Sequence, residues 1–342
     1  YANAGFSLPY PSIVGIDKGT NWQNEVFDRA PILNKDLSIS GGSENITYTF
    51  SASQLNQDGI VGLDKSGFDR STARIAVGVD INDKMKLKTN LIYTDFNRQG
   101  LNEGGLGSVL FNAINTPSTL SPYDSNGNFS LVPATPGFGN EVINPLAQIN
   151  NTYNSYNLEK INGSISLDYQ LFKDLKLTAR YGFEKGNSVG KSFNMLVDYG
   201  SGKVFNNVDR STVSQNTQKF NNYTFDAFAE YEKRLFEDHK LKVTVGGTLY
   251  EENAEGLFAT GYDVPYNSWG FADIALANGA PPVGVLTNGS YKATPYKRPS
   301  LFSTLDYDYK GKYLLSLIVR RDQSSRFGPN NSVANFKSIL GG

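Results

Sequence analysis

The sequence has 342 residues, with 32 Lys and Arg almost balanced by 33 Asp and Glu. That balance leaves no basic footprint for nucleic acid, and the absence of cysteine excludes disulfides, thiolate metal sites and cysteine nucleophiles. With 20 Tyr, 21 Phe, 34 Gly and many Asn, the chain combines strand formers with turn formers and points to an all-β protein.

In chain order, Thr20-Asn21-Trp22-Gln23 has capping-box spacing and predicts a short helix with Thr20 as N-cap. A hairpin follows, 37–41 against 46–57, joined by Gly42-Ser43-Glu44-Asn45. From residue 73, Ala73, Ile75, Val77, Val79 and Ile81 alternate with Arg74, Ala76, Gly78 and Asp80. After Asn82-Asp83-Lys84 the alternation resumes, with Met85, Leu87, Thr89, Leu91 and Tyr93 set against Lys86, Lys88 and Asn90. Leu106, Val109, Leu110, Ala113 and Ile114 then stand at helical spacing.

The same unit recurs over 161–171 and 175–184, around Phe172-Lys173-Asp174, and over 223–231 and 241–245, around Phe236-Glu237-Asp238. Residues 268–277, stopped by Asn278-Gly279, predict another short helix. A hairpin pairs 301–309 with 313–321 across Lys310-Gly311-Lys312, and 334–341 begins one strand more. No run of 18 apolar residues exists to make a membrane helix.

Connection length alternates. The turns near 42–45, 82–84, 172–174, 235–238 and 310–312 are tight, whereas 57–67, 97–158, 186–219, 253–299 and 322–333 are long. Short turns at one end and long loops at the other are the pattern of an outer-membrane barrel, with periplasmic turns and extracellular loops. The fold class is therefore read as an antiparallel transmembrane β-barrel. Its ten or eleven strands are about half of a plugged barrel of about 22 strands. On this reading residues 1–34 form an extracellular loop and 35–342 the hairpins, with both ends interrupting a longer chain. Ile75, Val77, Val79, Leu87, Leu91, Ile165, Leu167, Leu177 and Val243 are expected to face lipid. Arg74, Lys86, Lys88, Asp168 and Arg180 are expected to face the lumen. Tyr93, Phe96, Tyr169, Phe172, Tyr181, Phe183, Tyr307, Tyr309 and Tyr313 are expected in interfacial girdles.

Five segments resemble hallmarks of the SusC/RagA-type TonB-dependent transporters. They are Asn21-Trp22-Gln23-Asn24-Glu25-Val26-Phe27, Leu37-Ser38-Ile39-Ser40-Gly41-Gly42-Ser43-Glu44, Leu55-Asn56-Gln57-Asp58-Gly59-Ile60, Asn144-Pro145-Leu146-Ala147-Gln148, and Val319-Arg320-Arg321-Asp322-Gln323-Ser324-Ser325-Arg326-Phe327-Gly328-Pro329-Asn330. Gln323 stands where the family pattern leads one to expect Gly, and Asn21 where Asp is usual. The resemblance implies a complete protein with a signal peptide, TonB box and plug domain, none of them in this stretch. It also implies a SusD-like surface lipoprotein as a lid, energy delivered through the TonB complex, and a Gram-negative outer-membrane location. The implied cargo is a glycan or oligopeptide. A passive porin or surface adhesion barrel is the alternative, since hairpin repeats fit it equally.

Catalysis is not expected, nor a cofactor or metal. His239 reads as a solvated turn residue between Asp238 and Lys240. Glu251 and Glu252 read as solvated strand-end charges rather than an acid/base pair. Asp124-Ser125-Asn126-Gly127-Asn128 lacks the terminal Glu of a calcium loop and suits a tight Asn-Gly turn. Arg320, Arg321, Asp322 and Arg326 read as a structural ion-pair network. The candidate site for cargo or the lid protein is the aromatic group Tyr262, Tyr266, Trp269 and Phe271, set against packing within the loop.

Overall fold

The computed structural model describes residues 18–102, 104–134, 141–203 and 206–342. Period-two alternation becomes a single antiparallel meander: β1 (Ile32–Gly42), β2 (Ile46–Asp58), β3 (Gly67–Asn82), β4 (Met85–Gln99), β5 (Thr152–Phe172), β6 (Leu175–Asn194), β7 (Thr212–Leu235), β8 (His239–Tyr262), β9 (Asn288–Lys292), β10 (Tyr296–Tyr309), β11 (Tyr313–Gln323) and β12 (Val333–Gly341). Of the 12 strands, β9 lies off the path, paired to β8 above β10. The other eleven follow one another in order, in line with the sequence. The sheet does not close, and β1 and β12 form its two edges. The expected 1–34 loop falls partly outside the described residues, at 1–17; the rest holds α1 (Trp22–Val26) and the start of β1.

Register separates two chemistries onto the two faces. On one face Val79 pairs with Leu87, Leu87 with Leu167, Leu167 with Ala179, and Ala179 with Ala227. Above them Ile39, Phe50, Ile75 and Leu91 form a second apolar row. All nine residues expected at lipid lie on this face. Arg74, Lys86, Lys88, Asp168 and Arg180 lie on the other.

That second face carries a ladder of ions. Lys86 pairs with Asp80 at 3.1 Å and Lys88 with Asp168 at 3.2 Å, while Glu230 lies 2.5 Å from Lys176 and 2.9 Å from Lys242. Phe96 departs from the girdle expectation. It sits on the charged face, 5.2 Å from Phe68 and 5.9 Å from Tyr156, because it is one residue out of phase with Tyr93.

The strands also run past their apolar stretches. In β6 Leu175, Leu177, Ala179, Tyr181 and Phe183 share the apolar face, and Lys185 and Asn187 continue it. In β7 Tyr231, Ala229, Ala227, Phe225 and Tyr223 give way to Asn221 and Lys219. Hydrogen bonding continues through these polar residues, so β6 reaches Asn194 and β8 reaches Tyr262, well beyond the loop boundaries read from alternation.

Short connections occupy one end of the sheet and long ones the other. At the short end His239 begins β8 half-buried, its Nδ1 2.6 Å from the Tyr307 hydroxyl and its ring 4.8 Å from that of Tyr309. It is an aromatic-cluster residue rather than a solvated one.

The hydrophobic cores lie among the loops at the long end. Val26, Val61, Val109, Ala113 and Ile149 form one cluster, joining α1 to α2 (Val109–Asn115) and α3 (Pro145–Asn150). Asn21, not Thr20, caps α1 by accepting from the Asn24 amide, whereas the Thr20 hydroxyl donates to the Leu120 carbonyl. Gly59 lies so close to Ser66, just before β3, that a Cβ there would stand 1.6 Å from the Ser66 hydroxyl oxygen.

Candidate functional site

The described residues of loops 100–151, 195–211 and 263–287 make surface at the long-loop end, and amides pin them. Asn144 caps α3, ahead of Pro145 at its first turn, and also donates to the carbonyls of Pro122 (2.9 Å) and Ser130 (3.1 Å). Gln148, one turn on, accepts from Asn112 at 2.7 Å and donates to the Gly107 carbonyl at 2.8 Å. The Asn144–Gln148 segment is thus a fastener for the loop. Asn267 does the same between two loops, accepting from the Leu196 amide (2.6 Å) and donating to the Leu196 carbonyl (2.8 Å).

The four aromatic candidates separate into two kinds. Tyr262 ends β8, its carbonyl accepting from the Gly279 amide and its ring lying 4.7 Å below the Arg210 guanidinium. Trp269 stacks on Tyr153 at 5.9 Å and 17°, beside the buried cluster of Phe193, Val213, Val264 and Ala272. Lys191 lies 4.6 Å over the Trp269 ring and Lys65 lies 3.7 Å over Tyr153, so two cations flank one aromatic pair. Tyr266 and Phe271 instead face solvent, at 61% and 47% exposure, with ring centroids 4.6 Å apart. They offer a compact apolar platform, whereas Tyr262 and Trp269 hold the loop that presents it. The helix expected over 268–277 is two 3-10 turns, Trp269–Phe271 and Ile274–Leu276. Asp273 caps the second by accepting from the Ala275 amide at 2.8 Å.

Sequence reading missed Tyr153, Lys65, Lys191 and the Arg210–Asp263 clamp. Arg210 Nη2 reaches the Asp263 carboxylate at 2.8 Å and its Nε reaches the other oxygen at 2.9 Å, the bidentate geometry that suits guanidinium to carboxylate. The Arg210 hydrogen bonds hold the Asp263 carboxyl below its ordinary pKa, and Asp263 in turn raises that of Arg210. A positive φ of 56° at Asp263, rare for a residue with a side chain, was the one trace such a clamp leaves, and it is invisible in sequence.

The charged candidates resolve into structural roles. Arg320 binds Asp322 at 2.7 Å and Ser300 at 3.0 Å, while Arg326 lies 4.2 Å over the Tyr296 ring. Adjacent on β8, Glu251 and Glu252 point to opposite faces. Glu251 meets Tyr223 (2.6 Å) and Lys297 (3.3 Å), and Glu252 meets Tyr250 (3.3 Å). They cannot work on one substrate as an acid/base pair. The Asp124 carboxylate accepts from the amides of Asn128 (2.9 Å) and Asn126 (2.8 Å), hydrogen bonds that hold its pKa low within a tight turn.

No family model matches the chain. It is 28% identical over 98% of its length to TonB-dependent receptor P26 of Formosa agariphila, and 25% identical over 99% of its length to TonB-dependent receptor SusC of Bacteroides thetaiotaomicron. It spans about a third of these relatives, 32% and 33% of their lengths. Among solved structures, the RagAB peptide transporter superposes with a TM-score of 0.78 at 23% identity, over 95% of this chain and 35% of that one. The ferric citrate transporter FecA superposes at 0.51 with 10% identity, over 91% of this chain and 38% of that one. The chain is a homologue of TonB-dependent receptors, SusC among them, and its open sheet is a segment of their barrel fold. These relatives are named as receptors and transporters, not enzymes.

Proposed function

We propose that this chain forms about half the wall of an outer-membrane importer that takes up large nutrients through TonB. The observation that carries the reading is the division of one sheet into an apolar face and an ion-paired face. A bilayer demands the first, and a water-filled or plugged lumen accommodates the second. The apolar face meets lipid in the outer membrane of a Gram-negative bacterium, the short turns lie in the periplasm and the long loops lie outside the cell. Homology to TonB-dependent receptors favours energised import over a passive porin or an adhesion barrel.

The loop end meets a SusD-like lipoprotein, cargo, or both. Tyr266 and Phe271 supply an exposed aromatic pair of the kind that anchors interfaces, and glycans or oligopeptides are the cargo class. Uptake by cells that make the full-length protein tests the energised reading. Deletion of TonB should abolish cargo accumulation while leaving the protein at the surface. Accumulation that persists without TonB would make the barrel a passive pore.

A further inference from the structure

On the apolar face the strands change character along a sharp line. Tyr93, Ile161, Phe183 and Tyr223 end the main apolar runs of β4, β5, β6 and β7, and Asp95, Glu159, Lys185 and Asn221 follow them; further up the same face Tyr153, Phe193 and Val213 pack with the loop residues Val264 and Trp269. A cavity of about 730 Å³ straddles this line, floored by Tyr93 and Ile161 and rimmed above by Lys185, Lys219 and Lys292. Register gathers these lysines from three strands. Ile161 pairs with Lys185, Asn187 with Lys219, Lys219 with Glu255, and Glu255 with Lys292.

The three lysines are exposed, and among the described residues no carboxylate lies within ion-pairing distance of any of them. That distinguishes them from the opposite face, where Lys86, Lys88, Lys176 and Lys242 each have an acidic partner. Height fits a headgroup. Lys185 stands ten residues above Leu175 on β6, which is about 26 Å along the membrane normal for a strand tilted roughly 40°, against an apolar band of about 25 Å.

We infer that this cavity binds a phosphate-bearing lipid headgroup of the outer leaflet, an inference that rests on the apolar face being the lipid face. Tyr93 and Ile161 would receive the upper part of the acyl chains. Lys185, Lys219 and Lys292 would converge on the phosphate, and Asn187, Asn221 and Asn253 would offer amides to headgroup hydroxyls. Glu159 and Glu255 also line the cavity. Lys160, the fourth lysine of the lining, is paired with Glu184 at 3.2 Å, so the two carboxylates trim the charge of the other three to one and admit a zwitterionic or sugar-bearing headgroup better than a bare anion. A soluble phosphate lacks the acyl chains that the apolar floor requires, which favours the lipid over the free ion.

The test uses the full-length transporter in phosphatidylcholine nanodiscs doped with a minor fraction of bisphosphorylated lipid A or its dephosphorylated form, with bound lipid counted by native mass spectrometry. The wild type should retain the phosphorylated form preferentially. Substituting Lys185, Lys219 and Lys292 by Ala should weaken that preference by roughly fivefold per lysine, the worth of one basic residue at an anionic surface. Lys86→Ala and Lys88→Ala should leave it unchanged. Equal retention of both lipids by the wild type, an unaltered preference in the triple variant, or displacement by inorganic phosphate alone would each overturn the inference. Loss of the preference on changing Lys86 or Lys88 instead would overturn the face assignment on which it rests. The comparison of the two lipids on the unsubstituted protein needs no variant to fold.

Discussion

Lys88 and Asp168, 80 residues apart in sequence, form a 3.2 Å ion pair one residue out of phase with Leu87 and Leu167, which pair directly across the same two strands. One register thus sets a charge pair on one face and an apolar pair on the other. Leu167→Lys in the full-length protein should therefore cost about 2–4 kcal/mol, the price of a cation at mid-bilayer. Lys88→Ala should cost at most about 1 kcal/mol, since the pair is water-exposed. Urea unfolding in detergent or vesicles, followed by heat-modifiable gel mobility, measures both. Equal costs would mean that the two faces meet the same medium.

Tyr266 and Phe271 should separate from Trp269 in function. Replacing either of the first two by Ala should leave surface abundance unchanged and weaken lid-protein pull-down or cargo uptake, because each is exposed and holds nothing else in place. Trp269→Ala should make loop 263–287 more protease-sensitive at the cell surface, since it opens the stack with Tyr153 and frees Lys191. A half-buried indole of this kind contributes about 2 kcal/mol. If all three variants behave alike, the division of the aromatic group into platform and support is wrong.

The Arg210–Asp263 clamp should loosen in acid. Its folded carboxyl pKa lies below the ordinary one. It therefore adds stability above an unfolded value of about 3.9, and that stability is lost as pH falls through the lower folded value. The Asp263 and Gly279 amides should be protected from hydrogen exchange at neutral pH, where they bond the carbonyls of Ser211 and Tyr262, and their protection relative to the intrinsic rate should fall as the pH drops below the ordinary carboxylate range. Asp263→Asn should show the reduced protection already at neutral pH. Exchange in the wild type that tracks the intrinsic rate at every pH would remove the clamp from the loop's stability.

Much of this fold is legible in sequence because a strand with one wet face writes its period directly into the residues. Val77, Val79, Leu87 and Leu167 could be placed on one face from spacing alone. The signal ends where the wet/apolar contrast ends. Above Phe183 both faces of β6 are polar except at Val189 and Phe193, so Lys185 to Asn194 carry no regular alternation although their ladder continues. The short β9, Asn-Gly-Ser-Tyr-Lys, has no pattern at all and exists because β8 offers it an unpaired edge above β10. The 268–277 segment has helical spacing, but Gly270 weakens the turn and Asp273 starts a new one. At the candidate site the aromatics were visible as a cluster. Their division was not, since it depends on Tyr153 and Lys191 arriving from other strands.

The central claim, that one face of this sheet meets lipid and the other the lumen, is tested most directly by a cysteine scan of β6. The chain contains no cysteine of its own, so single substitutions in a cysteine-free full-length protein report without background. Fluorophores placed at positions 177, 179, 181 and 183 should be quenched by brominated lipid tails. Those at 176, 178 and 180 should resist that quencher and yield to a water-soluble one. Quenching by lipid without this two-residue period, or with its phase reversed, would contradict the account.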